Sequence, residues 1–181
     1  CLGNIDDTRH VFIPGNHDNY DKCFAYPHCL GNFGEFELNG IVFFFIRGAF
    51  SIDWQYRQKH QELTGQKSWW SNEELSFAEM KLCFDLYREV KPDFVISHDC
   101  PRIISNKIGN PQILNNFGYN ADIFTTSTSE LLEECYNFHA PKLWIHGHMH
   151  KSASNQIGNT LFISLAELEY IDVTDDLTLM N

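Results

Sequence analysis

Residues 146–150 read HGHMH, and two further histidines, His17 in GNHD (residues 15–18) and His98 in SHDCP (residues 97–101), each follow a short apolar run. Imidazole is the commonest nitrogen ligand of zinc, iron and related first-row metals, and its ordinary pKa also suits proton transfer near neutral pH. Alternate residues of an extended segment point the same way, so His148 and His150 are expected on one face. His146 shares their parity but lies two residues nearer the strand interior, which suits a supporting residue better than a ligand. Pro14-Gly15-Asn16 is also a turn signal by itself, because Asn tolerates the left-handed conformation. Taken singly, His17 reads more readily as a surface or hydrogen-bonded histidine than as a catalyst, and His98 more readily as a histidine satisfied at a strand end.

The elements that must present these residues alternate in type. Residues 10–13 end a strand, and residues 35–38 and 41–46 flank Asn39-Gly40, a strong hairpin signal because both turn positions favour positive φ. After a Trp-rich loop, Ser71 and Glu74 form a capping-box pair, and Leu75, Ala78, Leu82 and Leu86 follow at helical spacing up to Pro92. Residues 93–97 form a short apolar strand. A second capping-box pair, Ser127 and Glu130, precedes a helix whose apolar face is Leu131, Leu132, Cys135 and Phe138. Residues 142–146 form another strand, Gly158-Asn159 turns a second hairpin, and residues 169–174 alternate like a last strand. Three strands thus end in loops carrying histidine. Strand ends in layered α/β folds project side chains into a shared crevice, so one convergent site is expected.

Composition bounds what that site serves. The 181 residues, 43% hydrophobic and 14% aromatic, suffice for one domain with a sizeable core. The apolar run of residues 41–46 is far short of the roughly 20 residues of a membrane span. A net charge of −11 disfavours backbone-gripping nucleic-acid binding, which leaves nucleic acid only as a substrate. Six cysteines without a C-x-x-C pair read as free thiols of a reducing, cytoplasmic compartment.

The ordered set GNHD, SHDCP and GHMH resembles the calcineurin-like metallophosphoesterase family, and RGAFSIDWQYR (residues 47–57) with SWW (residues 68–70) resembles its small phage and bacterial branch. The resemblance implies an α/β fold, a layered α-β-β-α sandwich, as a single domain over residues 1–181. It implies hydrolysis of phosphate mono- or diesters by two divalent metal ions (Mn, Fe or Zn). Asn16, through its side-chain oxygen, His98 and His148 would bind the second metal, and His150 the first. His17 would sit beside the phosphate and protonate the leaving oxygen. Such a metal pair lowers the pKa of a bridging water and neutralises the phosphate, so an acidic chain is no obstacle.

The family's Asp-x-His and Gly-Asp motifs do not precede GNHD, and Asp6 and Asp7 read as solvated loop residues. The expectation is therefore an N-terminally truncated phosphoesterase. Its alternative is a non-catalytic metal- or phosphate-binding relative that has lost the first-metal carboxylates; a third reading is a structural zinc protein built on HGHMH. Arg57 is the candidate phosphate contact, and Arg47, Trp54, Trp69 and Trp70 share its segment.

Overall fold

The hairpin predicted around residues 39–40 joins β1 (Phe33–Leu38) to β2 (Ile41–Ile46), antiparallel, with Leu38 opposite Ile41. This is a computed structural model; it describes residues 10–38 and 40–173, so Asp6, Asp7 and Asn39 lie outside the described residues. Gly40 has a φ of 78°, the left-handed conformation that a Cβ disfavours.

Beyond β2 the chain builds parallel strands. β3 (Phe94–Ser97), β4 (Leu143–His146) and β6 (Thr160–Ser164) extend the sheet, and β5 (Ala153–Ile157) pairs antiparallel with β6 through the predicted turn at Gly158. The order of the six strands is β1-β2-β3-β4-β6-β5. The parallel centre reads as continuous apolar sequence because both faces of such strands are shielded from water.

The helices are α1 (Tyr20–Phe24), α2 (Trp54–Thr64), α3 (Phe77–Val90), α4 (Arg102–Ile108), α5 (Pro111–Asn116) and α6 (Ser127–Phe138). Phe44, Ile46, Val95, Trp144 and Phe162 project from the strands into one core with Cys83 and Tyr87 of α3, Ile104 of α4, and Leu131, Leu132 and Cys135 of α6. Phe44 meets the Tyr87 ring edge-on at 5.1 Å. Helices flanking a central mixed sheet agree with the layered α/β sandwich expected. No helix among the described residues is long and apolar enough to cross a membrane.

Several local expectations shift. The α3 capping box is Ser76 with Glu79, not Ser71 with Glu74, and the side chain of Glu74 instead accepts hydrogen bonds from Thr128 N (2.8 Å) and Oγ1 (2.9 Å). Cys83 and Tyr87 are the buried residues of α3, whereas Leu82 is 60% exposed, because the sheet meets a neighbouring stripe of the helix. The α6 cap is Thr126 with Ser129, and Phe138 is exposed while Leu131, Leu132 and Cys135 are buried. Residues 10–13 contribute one bridge, Phe12 to Cys29, rather than a strand. Residues 169–173 are not a regular strand, and Thr174 lies outside the described residues. Helix α2 stands within the segment expected as loop; it has no buried residue and so no apolar stripe to reveal it.

Candidate functional site

Parallel strands release their chains at the same end of the sheet, and there His98 follows β3 and residues 147–150 follow β4. The ladder continues past the strands: His98 N donates to Ile46 O at 3.1 Å, and Gly147 N donates to His98 O at 3.1 Å. His98 is thereby held between two neighbouring backbones.

The GNHD corner is pressed against it. A Cβ on Gly15 would lie 2.7 Å from His98 Cε1, so only glycine lets the backbone of the turn approach the His98 ring this closely. Gly15 N donates to Asp18 Oδ2 at 2.7 Å, and Gly15 O accepts from Tyr20 Oη at 2.7 Å. Asp18 therefore closes the turn.

Asn16 is buried and hydrogen-bonded at both ends of its amide. Its Nδ2 donates to Ser51 Oγ at 2.8 Å, and its Oδ1 stands 2.9 Å from His98 Nε2. Ser51 Oγ in turn donates to Glu73 Oε2 at 2.5 Å, and Ser51 N donates to Glu73 Oε1 at 2.8 Å. With Nδ2 engaged as donor, Oδ1 accepts, so the His98 proton resides on Nε2. The run Glu73–Ser51–Asn16–His98 links segments far apart in sequence. Burial pushes the Glu73 carboxyl up.

His17 is oriented from another direction. Its Nε2 lies 3.1 Å from Arg57 Nη2, and Arg57 Nε donates to Asp53 Oδ2 at 2.7 Å. Burial first, and then the Arg57 cation, lower the His17 pKa, with Asp53 acting against them. Arg47, by contrast, is buried in the scaffold: its guanidinium donates to Asn32 Oδ1 and Asn72 O and lies 4.2 Å from the Tyr20 ring centroid.

Residues 147–150 do not form the extended segment that the parity reading assumed. His148 and His150 have φ of 61° and 51°, in the left-handed region, so alternation no longer decides where they point. The His148 ring lies 5.2 Å from the His98 ring, centroid to centroid, whereas exposed His150 places Nδ1 2.7 Å from Glu167 Oε1. His146 faces the core, in register with Ser97 and Ser164, with no hydrogen-bond partner for Nε2. Burial, reinforced by neighbouring histidines, lowers the pKa of His98 to about 3 and of His148 to about 4. Burial also lowers His146 to about 4 and raises Asp99 to about 7.

The structure brings Asn16, His98 and His148 together, sets His17 beside Arg57, and turns His150 to Glu167. It does not meet the expectation of a hydrolytic enzyme with two divalent ions. Among the described residues, no group of three or more histidine, cysteine, aspartate or glutamate side chains is placed to hold a metal ion. Two divalent ions in contact need anionic ligands to screen their repulsion, and the cluster here is neutral imidazole and amide. The dinuclear centre, its Mn, Fe or Zn, and the phosphoester hydrolysis resting on it are corrected accordingly.

Ser51, Asp53, Glu73 and Glu167 escaped the sequence reading as participants. Ser51 and Asp53 lie inside the block RGAFSIDWQYR, which was a usable signal; Glu73 and Glu167 sit in no motif. The sequence profile of the family described as calcineurin-like phosphoesterase matches residues 2–152. No curated protein matches the chain.

Proposed function

Because this chain belongs to the calcineurin-like phosphoesterase family, we propose that it is a non-catalytic relative, one domain in extent, that binds a phosphate-type anion at Arg57 and His17. The block carrying Arg57 resembles the small phage and bacterial branch, which supports placing the protein there, and its free thiols suit a reducing cytoplasm. The observation that carries the reading is the 3.1 Å contact of Arg57 Nη2 with His17 Nε2 at the margin of the neutral His98–His148 pair.

A guanidinium has five N–H donors in a planar fork that matches phosphate oxygens. In Arg57, Nε is directed to Asp53, one Nη2 proton to His17, and one Nη1 proton to Ser68 O across 3.4 Å. The remaining N–H of each terminal nitrogen suits a bidentate contact with an oxyanion. In a chain of charge −11, a clamped cation beside uncharged imidazoles is a locally favourable place for an anion.

A second reading draws on Asn16, His98 and His148, whose proximity suits a single weakly held divalent ion once the Asn16–His98 hydrogen bond opens. Calorimetric titration of inorganic phosphate, with and without EDTA, tests both. Binding that survives EDTA and is lost in Arg57→Ala supports the anion site; phosphate binding that requires a metal favours the second reading. Two metal equivalents by elemental analysis together with turnover of p-nitrophenyl phosphate would overturn the non-catalytic assignment.

A further inference from the structure

The phosphate site has an aromatic neighbour that anion binding leaves unexplained. Trp54 is the first residue of α2, and Arg57 follows three residues later on the same side of the helix. Trp69 packs on Trp54 with ring centroids 5.6 Å apart and planes inclined by 36°. Ser68, next to Trp69, accepts from Arg57 Nη1, so the guanidinium and both indoles belong to one local unit. Lys67 Nζ lies 5.6 Å from the Trp70 ring centroid, which adds a second cation to the same loop.

These indoles are not a hydrophobic core. Trp54, Trp69 and Trp70 are each partly exposed, although Trp69 Nε1 is shielded from solvent, and α2 has no buried residue. Indole is the largest flat apolar surface a side chain can offer, and its electron-rich face attracts both aromatic rings and cations.

We propose that Trp54 and Trp69 form a stacking ledge that makes this site selective for a phosphate monoester carried on a flat aromatic ring. The proposal rests on the phosphate reading of Arg57 and His17. The phosphate engages Arg57, and the ring attached to it lies against the indoles. Stacking tolerates any planar ring, because each presents a π-face, so the shared chemistry covers simple aryl phosphates and nucleoside monophosphates alike.

Calorimetry with four probes tests it: inorganic phosphate, cyclohexyl phosphate, phenyl phosphate and adenosine monophosphate. Stacking contributes enough to tighten phenyl phosphate about tenfold over inorganic phosphate. Cyclohexyl phosphate, apolar but not flat, is expected to fall well short of that gain. Adenosine monophosphate at least as tight as phenyl phosphate identifies the nucleotide as the source; a weaker nucleotide identifies the simple aryl ester. Trp54→Leu should collapse the ratio of phenyl phosphate to inorganic phosphate affinity toward one, while Trp54→Phe should retain most of it. Equal binding of inorganic, cyclohexyl and phenyl phosphates by the unaltered protein overturns the ledge and leaves the phosphate site standing. Binding of none of the four overturns both.

Discussion

His17 Nε2 accepts a hydrogen bond from Arg57 Nη2 across 3.1 Å, joining the GNHD corner to a helix 40 residues further along the chain. An arginine is always the donor in such a pair, so the His17 proton resides on Nδ1. Removing the cation in Arg57→Ala should raise the His17 pKa, which stays below 6.5 because burial is the larger cause of its depression. An NMR titration of the His17 ring reads this directly; an unchanged or lowered pKa would show that the pair is not formed in solution.

Gly48 holds the Glu73 segment against the site. Its φ is 80°, and a Cβ there would lie 2.2 Å from Glu73 O. Backbone cannot yield as a flexible side chain does, so Gly48→Ala should destabilise the fold by about 2 kcal/mol or more. Urea unfolding measures the loss. A midpoint equal to that of the parent would mean that the close approach is absent.

Glu74 ties the loop before α3 to the start of α6. Its carboxylate accepts from both N and Oγ1 of buried Thr128, near the positive end of the helix dipole. Glu74→Ala leaves those donors unpaired and should cost about 1.5–3 kcal/mol. Glu74→Gln keeps an acceptor and should lose less.

Acidification should weaken the fold. His98, His146 and His148, at about 3, 4 and 4 when folded, bind fewer protons than the unfolded chain below its ordinary value of 6.5. Their contribution is therefore complete above 6.5 and is lost as pH falls toward 4. Asp99 acts oppositely: raised from 3.8 to about 7, it contributes fully below 3.8 and loses that contribution as pH rises through 7. Three histidines outweigh one aspartate, so the urea midpoint should be lower at about pH 5 than at about pH 7. Asp99→Asn removes a buried charge and should raise stability at about pH 8 by on the order of 2–4 kcal/mol, with little effect at about pH 5. A destabilised Asp99→Asn at the higher pH would contradict the sign.

Much of this architecture was legible along the chain. Gly40 and Gly158 marked their hairpins because a positive φ is a local demand that glycine meets without steric cost. The apolar runs ending at Ser97 and His146 announced strands, and the three histidine-bearing loops announced a common edge. The helices were legible in existence but not in register. Ser71 and Glu74 satisfy the capping pattern as well as Ser76 and Glu79 do, and only the α6 terminus draws Glu74 away.

Residue types and their order established the family pattern and the mixed α/β class, because strand, turn and glycine chemistry act between near neighbours. Folding in three dimensions decided what those residues do. It placed Arg57 beside His17, joined Asn16 through Ser51 to Glu73, and turned His148 and His150 into left-handed backbone, where alternation ceases to predict direction. A metal pair needs charged ligands converging from several strands within a few ångströms. That convergence depends on packing between distant segments, so HGHMH signalled a site while only the assembled sheet could show that its described residues do not enclose one.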